Sequence, residues 1–183
     1  MSNVSEPETI SNADIVAAIV TSAEEVFSTM FGMEVPSEEI PLPQDVASAP
    51  ASGIISLIGL TGPWAGTGSI SCNAELACTL SSKLLMDEFT EVNEEVLDAV
   101  AEVTNMIIGN VKNVLEAKVG EMGLSTPTVI YGVNFQTRSA QTHKWTGVRF
   151  KCGSEELCVL MCLVQSTVKT ERASLQFPQI VRM

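Results

Sequence analysis

The chain has 183 residues, 45% of them apolar, which suffices for the packed core of one domain. Its formal net charge of -12, with only 10 Lys and Arg, excludes the basic surface that nucleic-acid backbones and anionic membranes require and favours a partner with a basic edge. Met1 to Asp14 is polar and acidic without a signal-peptide pattern, and no run approaches the roughly eighteen apolar residues of a membrane span, so no membrane association and a cytoplasmic protein are predicted.

Cys72, Cys78, Cys152, Cys158 and Cys162 are an odd set without a C-x-x-C pair, which supports neither a disulfide framework nor a zinc site. They read as reduced core residues, Cys158 and Cys162 included, because free cysteine is among the most buried residue types. His143 stands alone in a polar loop with no Ser, Cys or carboxylate partner in its pattern, so it is not assigned to catalysis.

Residues 1–10 read as a flexible lead. Ser11 and Asp14 have capping-box spacing, and Ile15, Ala18, Ile19, Val26, Met30 and Phe31 continue a helical period to Gly32. Glu34 to Ser52 carries Pro36, Pro41, Pro43 and Pro50 and predicts an extended connection rather than a regular element. Gly53 to Leu60 and the run ending at Cys72 predict a β-hairpin across a turn bearing Gly62 and Pro63, with Trp64 packed over it. Gly66 and Gly68 mark a bulge or a close backbone approach and are too sparse for a phosphate-cradling loop.

Asn73 predicts the cap of a second helix that buries Leu76, Ala77, Leu80, Leu84 and Leu85 and ends between Met86 and Phe89. Asn93 predicts the cap of a long third helix closed by Gly120, its first turn carrying Glu94 and Glu95 where the dipole favours negative charge. Strands are predicted at Pro127–Phe135, Trp145–Cys152 and Leu157–Val164, the last in a central position and joined to its predecessor by a hairpin at Gly153. This order predicts a single α+β domain over residues 11–168 with helices packed on one sheet face, and a tail at 169–183.

The third helix is the chemically unusual element. Val96, Val100, Val103, Ile107, Val111 and Val114 make its apolar stripe, and Asp98, Glu102, Asn105, Gly109, Lys112 and Glu116 fall on the opposite side. The helix interior also holds Asn110 and Asn113, and a mid-helix Gly costs about 1 kcal/mol relative to Ala, so helix stability did not select these residues. Glu102 and Asn105, three apart, offer side by side one anion and one amide able both to donate to and accept from water. Gly109 lets another molecule's backbone come close. Taken alone, E-x-x-N also fits an ordinary solvated helix face.

The segment Asp98-Ala-Val-Ala-Glu102-Val-Thr-Asn105-Met-Ile-Ile-Gly109-Asn-Val-Lys-Asn113 resembles the helix motif of the CheC/CheX/FliY phosphatases, and Ser125-Thr-Pro127-Thr-Val-Ile-Tyr-Gly132 resembles the strand that follows it. The hairpin Gly53 to Cys72 and the helix end Phe27-Ser-Thr-Met-Phe-Gly32 resemble the CheX branch in particular, and the matching stretches run from about residue 11 to 165 in family order. The motif occurs once; the comparable spacing in helix one gives Glu25 and Ser28 without an Asn, which also favours the single-site CheX type.

The resemblance implies a phosphatase acting on the aspartyl phosphate of a CheY-like response regulator. Asn105 would hold the attacking water and Glu102 would bind a regulator lysine, with Asp98, Gly109 and Lys112 expected to contact the partner. It implies no cofactor of the chain's own, Mg²⁺ belonging to the regulator, and a homodimer formed through the sheet. Phosphoryl transfer needs mainly positioning and charge compensation, so one oriented water is chemically sufficient. Two other readings remain: a non-catalytic module that docks a regulator, for which the amide is superfluous, and a structural oligomer with a merely solvated helix face.

Overall fold

A computed structural model describes residues 9–39, 51–135 and 144–166. The readings placed on residues 1–8, on His143 and on the 169–183 tail lie outside them. Ile10, at the end of the stretch read as a lead, is buried.

Among the described residues three helices lie against one face of an antiparallel sheet, as the sequence predicts, but the sheet has seven strands, those at Ser37–Glu39 and Gly123–Leu124 being absent from the sequence reading. In chain order these are α1 (Asn12–Val26), β1 (Ser37–Glu39), β2 (Ala51–Thr61), β3 (Trp64–Cys72), α2 (Ala74–Leu85), α3 (Glu94–Val119), β4 (Gly123–Leu124), β5 (Thr128–Phe135), β6 (Thr146–Cys152) and β7 (Glu155–Gln165). The sheet runs β1-β6-β7-β3-β2, and the far flank of β2 is shared by β4 and β5. The predicted hairpin is β2 and β3, and β7 is interior, between β6 and β3. Trp64 begins β3 and packs against the core.

The caps form as their spacing requires. Ser11 and Asp14 close a reciprocal capping box, the Asn73 carboxamide oxygen accepts from the Leu76 N–H at 2.8 Å, and that of Asn93 accepts from the Val96 N–H at 2.9 Å. Alternate strand residues form the core floor; one row runs Val129, Ser56, Ile70, Val159, Val148 across five strands. Gly68 of β3 lies beneath Ile108 of α3, whose carbons a Cβ on Gly68 would meet at 3.0 Å. The glycine therefore lets α3 settle onto the sheet, which is the close approach its position suggested.

Several expectations are corrected. Residues 37–39, read as part of an irregular connection, form the edge strand β1, paired to β6 through Ser37 and Phe150. Its three side chains are all exposed, so it carries no alternating signal. Met30, placed on the apolar face of the first helix, is 45% exposed, because the chain widens into a π turn at Phe27–Phe31 and the added residue rotates it outward. Leu85 is also exposed, at the last position of α2.

Val114 is exposed and Leu115 is buried in its place, since the buried stripe of α3 drifts around the helix by about 140° from Val96 to Val119. Near its start α3 lies against α2, where the Ser81 hydroxyl donates to the Val96 carbonyl at 3.5 Å, whereas Ile108 sits on β3. Cys72, Cys78, Cys152 and Cys162 are buried, but Cys158 is only half-buried. Cys158 and Cys162 face away from the helices, because their neighbours Leu157, Val159, Met161 and Leu163 hold the helix side.

Burial pushes the Cys72 thiol up to about 12, with smaller contributions from the neighbouring cysteines, and burial alone pushes Cys152 up to about 11, both from an ordinary 9.0. Raised values favour the protonated fold, so this stability is complete below pH 9 and is lost as the pH rises through 11 to 12. Melting curves between pH 8 and 11 are expected to show a falling Tm, and the fall becomes shallower in the Cys72→Ala, Cys152→Ala double variant. Equal slopes in the two proteins would remove the thiols as its cause. Among the described residues no helix is long and apolar enough to cross a membrane.

Candidate functional site

The two ends of α3 are fixed by the fold. Beyond the Ser81 contact at its start, the Glu116 carboxylate near its end accepts from Lys112 Nζ at 2.7 Å and from the Met122 backbone N–H at 2.7 Å. These bonds, that from Lys112 foremost, hold the Glu116 carboxyl below its ordinary value. Lys118 pairs with Asp14 of α1. The face between these anchors is therefore presented by a helix held along its length, not by a loop.

Asp98, Glu102 and Asn105 are exposed, and Gly109 is half-buried, along the face opposite Val100, Val103 and Ile107. Spacing of three brings Glu102 and Asn105 to neighbouring positions, with Cβ atoms about 5–6 Å apart on a regular helix. Among the described residues, the side-chain hydrogen bonds within α3 and to other elements use Thr104, Lys112, Glu116 and Lys118, not Glu102 or Asn105. A carboxylate and a carboxamide thus stand side by side, exposed, with no side-chain hydrogen bond to another described residue.

Gly109 supports the same picture by what is missing around it. A Cβ there would meet only the end of the Leu124 side chain, at 3.8 Å. Internal packing does not demand a glycine at this position, in contrast to Gly68. Lys112 is more committed: its side chain is 18% exposed, and besides Glu116 it donates to the Met122 carbonyl at 3.4 Å. Its ammonium clamps the end of the helix.

Asp98 and Glu102 also form one wall of a groove of about 580 Å³. Met30, Leu84, Leu85, Phe89, Ala99 and Met106 supply its apolar lining. Sequence reasoning did not assemble this groove, because its parts come from the π turn, the end of α2 and α3. One local signal was available. Met86 stands where a helix stop ordinarily takes Gly or Asn, and it adopts the left-handed conformation (φ 55°, ψ 37°) and is 94% exposed. That conformation costs a side-chain-bearing residue about 1–2 kcal/mol. Among the described residues no group of three or more His, Cys, Asp or Glu is placed to hold a metal ion.

Comparison with known proteins places this geometry in context. The profile of the family described as chemotaxis phosphatase CheX matches residues 54–151. A Thermotoga maritima protein named CheY-P phosphatase CheX is 28% identical over 129 residues, spanning 70% of this chain and 82% of the relative. The crystal structure of the chemotaxis protein CheX from Vibrio vulnificus superposes with a TM-score of 0.70 at 25% identity, covering 85% of this chain and 100% of that one. The CheX–CheY–BeF3–Mg²⁺ complex from Borrelia burgdorferi contributes a chain with a TM-score of 0.68 at 24% identity, covering 81% of this chain and 97% of that one, a likeness of fold.

Proposed function

The chain belongs to the CheX family of chemotaxis phosphatases, and from that premise we propose that it hydrolyses the aspartyl phosphate of a CheY-type response regulator, Asn105 orienting the attacking water and Glu102 engaging a regulator lysine. The enzyme is thus a hydrolase, and the activity named for its Thermotoga relative supports the substrate class. The observation that supports the residue roles is an exposed carboxylate and carboxamide, neither bonded through its side chain among the described residues, on an anchored helix face.

The chemistry asks little more of the chain. The Asn105 carboxamide oxygen accepts a hydrogen bond from the water and its NH₂ group donates one to a neighbouring oxygen, which orients the water's lone pair toward phosphorus. The Glu102 carboxylate pairs with a cation on the regulator and so sets the height of α3 above the phosphoryl group. Asp98 and the bare backbone at Gly109 flank that pair and form the rest of the proposed contact. Mg²⁺ bound by the regulator compensates the phosphoryl charge, so this chain supplies position and no metal ligand.

The test is the decay of the phosphorylated receiver in excess Mg²⁺, with and without this protein. Acceleration supports the phosphatase reading. Binding without acceleration, for every CheY-type receiver of the same genome, would leave the docking-module reading in its place.

A homodimer through the sheet belongs to the same reading. It is supported by Ile55, Leu57, Leu160 and Val164, which are half-buried on the face away from the helices. Sedimentation velocity should give twice the 19.5 kDa of one chain, and a monomer at micromolar concentration would remove the dimer.

A further inference from the structure

Two residues beside the site hold conformations that stability alone does not select. Met86 exposes an apolar side chain to solvent from a left-handed position, and Met30 is turned outward by a π turn, a distortion that recurs at functional sites. Met30 lines the groove, and so do Leu85 and Asp87, the neighbours of Met86 on either side. Exposed Met30 and Leu85 therefore share the cleft lining with Asp98 and Glu102, and exposed Met86 stands in the chain between two of its lining residues. Contiguous exposed apolar side chains with a polar rim mark contact surfaces, and methionine adapts its shape to a partner.

The rim is one-signed. Asp87, Glu95, Asp98 and Glu102 line the groove, and no Lys or Arg is among its lining residues. An occupant that fits must bring both an apolar side chain and positive charge. A second copy of this chain, with net charge -12, brings the wrong sign.

We propose that the groove is a second docking site for the response regulator, taking an apolar side chain set in a basic patch outside the regulator's phosphorylation site. Met30, Leu85 and Met86 grip the apolar group, and Asp87, Glu95 and Asp98 attract the surrounding cations. Glu102 belongs to both contacts, so the groove adjoins the proposed catalytic pair. The groove sets which regulator is accepted, while Asn105 acts on whichever one is bound. This inference rests on the phosphatase reading and adds the determinant of its specificity.

The probe is each CheY-type receiver of the same genome, phosphorylated with acetyl phosphate and Mg²⁺ for turnover and held with BeF3⁻ and Mg²⁺ for calorimetric binding. Met86→Gly suits the left-handed position, so its Tm should equal or exceed that of the wild type. Its KM should rise roughly tenfold at unchanged kcat, as should that of Leu85→Glu, the scale expected for losing an apolar anchor. Wild-type KM and Kd in both variants, with the fold intact, would overturn the groove and leave the phosphatase reading standing. Receiver binding that weakens in both variants, without turnover in any protein, would uphold the groove and sink the phosphatase reading. Absence of both binding and turnover with every receiver overturns both.

Discussion

Asn105→Ala is expected to retain receiver binding and lose nearly all acceleration of aspartyl-phosphate decay, a fall in kcat of about 100- to 1000-fold, the scale associated with a single positioned polar group in a water-excluding site. In the proposed mechanism the loss falls on kcat, because the amide is assigned to the water and the Glu102 carboxylate to the partner. Folding should not suffer. Asn105 is exposed, and alanine is the better helix former by about 0.5 kcal/mol, so the variant should melt at or slightly above the wild type. The measurement is single-turnover decay of the phosphorylated receiver at saturating protein, with binding to the BeF3⁻ form read separately. Wild-type decay in the variant would remove the water-orienting role. It would also favour the solvated-face reading, which expects this substitution to be silent.

The second large effect concerns the fold. Gly66→Val should cost about 3 kcal/mol or more and lower the Tm by on the order of 10 °C. A Cβ on Gly66 would collide with the Cys162 carbonyl oxygen and stand 2.9 Å from its carbon and 3.2 Å from the Leu163 Cα. These are backbone atoms of β7, so no rotamer change relieves the overlap. The nine-residue ladder from Trp64 with Gln165 to Cys72 with Leu157 would have to part locally. Gly153→Ala provides the contrast: its φ is +69° but a Cβ there meets nothing within 4 Å, so only the conformational cost of about 1–2 kcal/mol applies. Urea and thermal melts of the two variants decide the point. A Gly66→Val protein that melts within about 2 °C of wild type would show that β3 and β7 can separate cheaply there.

What could be read in the sequence was whatever local periodicity and capping encode. Asn73 and Asn93 cap because their side chains reach N–H groups three residues on, a geometry that needs no tertiary partner. The exposure of Asp98, Glu102 and Asn105 followed from their angular distance to Val100 and Ile107. The stripe failed at Val114 because the burying partners change along α3, and a helical wheel assumes a partner in one fixed direction. β1 was invisible because it is held by backbone bonds to β6 and buries no side chain, so nothing in its composition distinguishes it from a loop. The groove was invisible for a third reason: Met30, Leu85 and Met106 converge only through tertiary packing, and neither the π turn nor the left-handed Met86 follows from propensity.

The tie between the ends of the domain bears on the order in which the protein is made. Asn12 is bonded to Thr146, Asp14 to Lys118, the Pro36 carbonyl to the Lys151 N–H, and Ser37 is paired with Phe150. During vectorial synthesis the first helix therefore leaves the ribosome long before the strand that will cover it, and a loop on the order of a hundred residues must close before that helix is seated. Until then its apolar stripe of Ile15, Ile19 and Val26 is open to chaperones or to neighbouring nascent chains. The helix layer around the candidate site is thus completed only well after α3 itself has been translated.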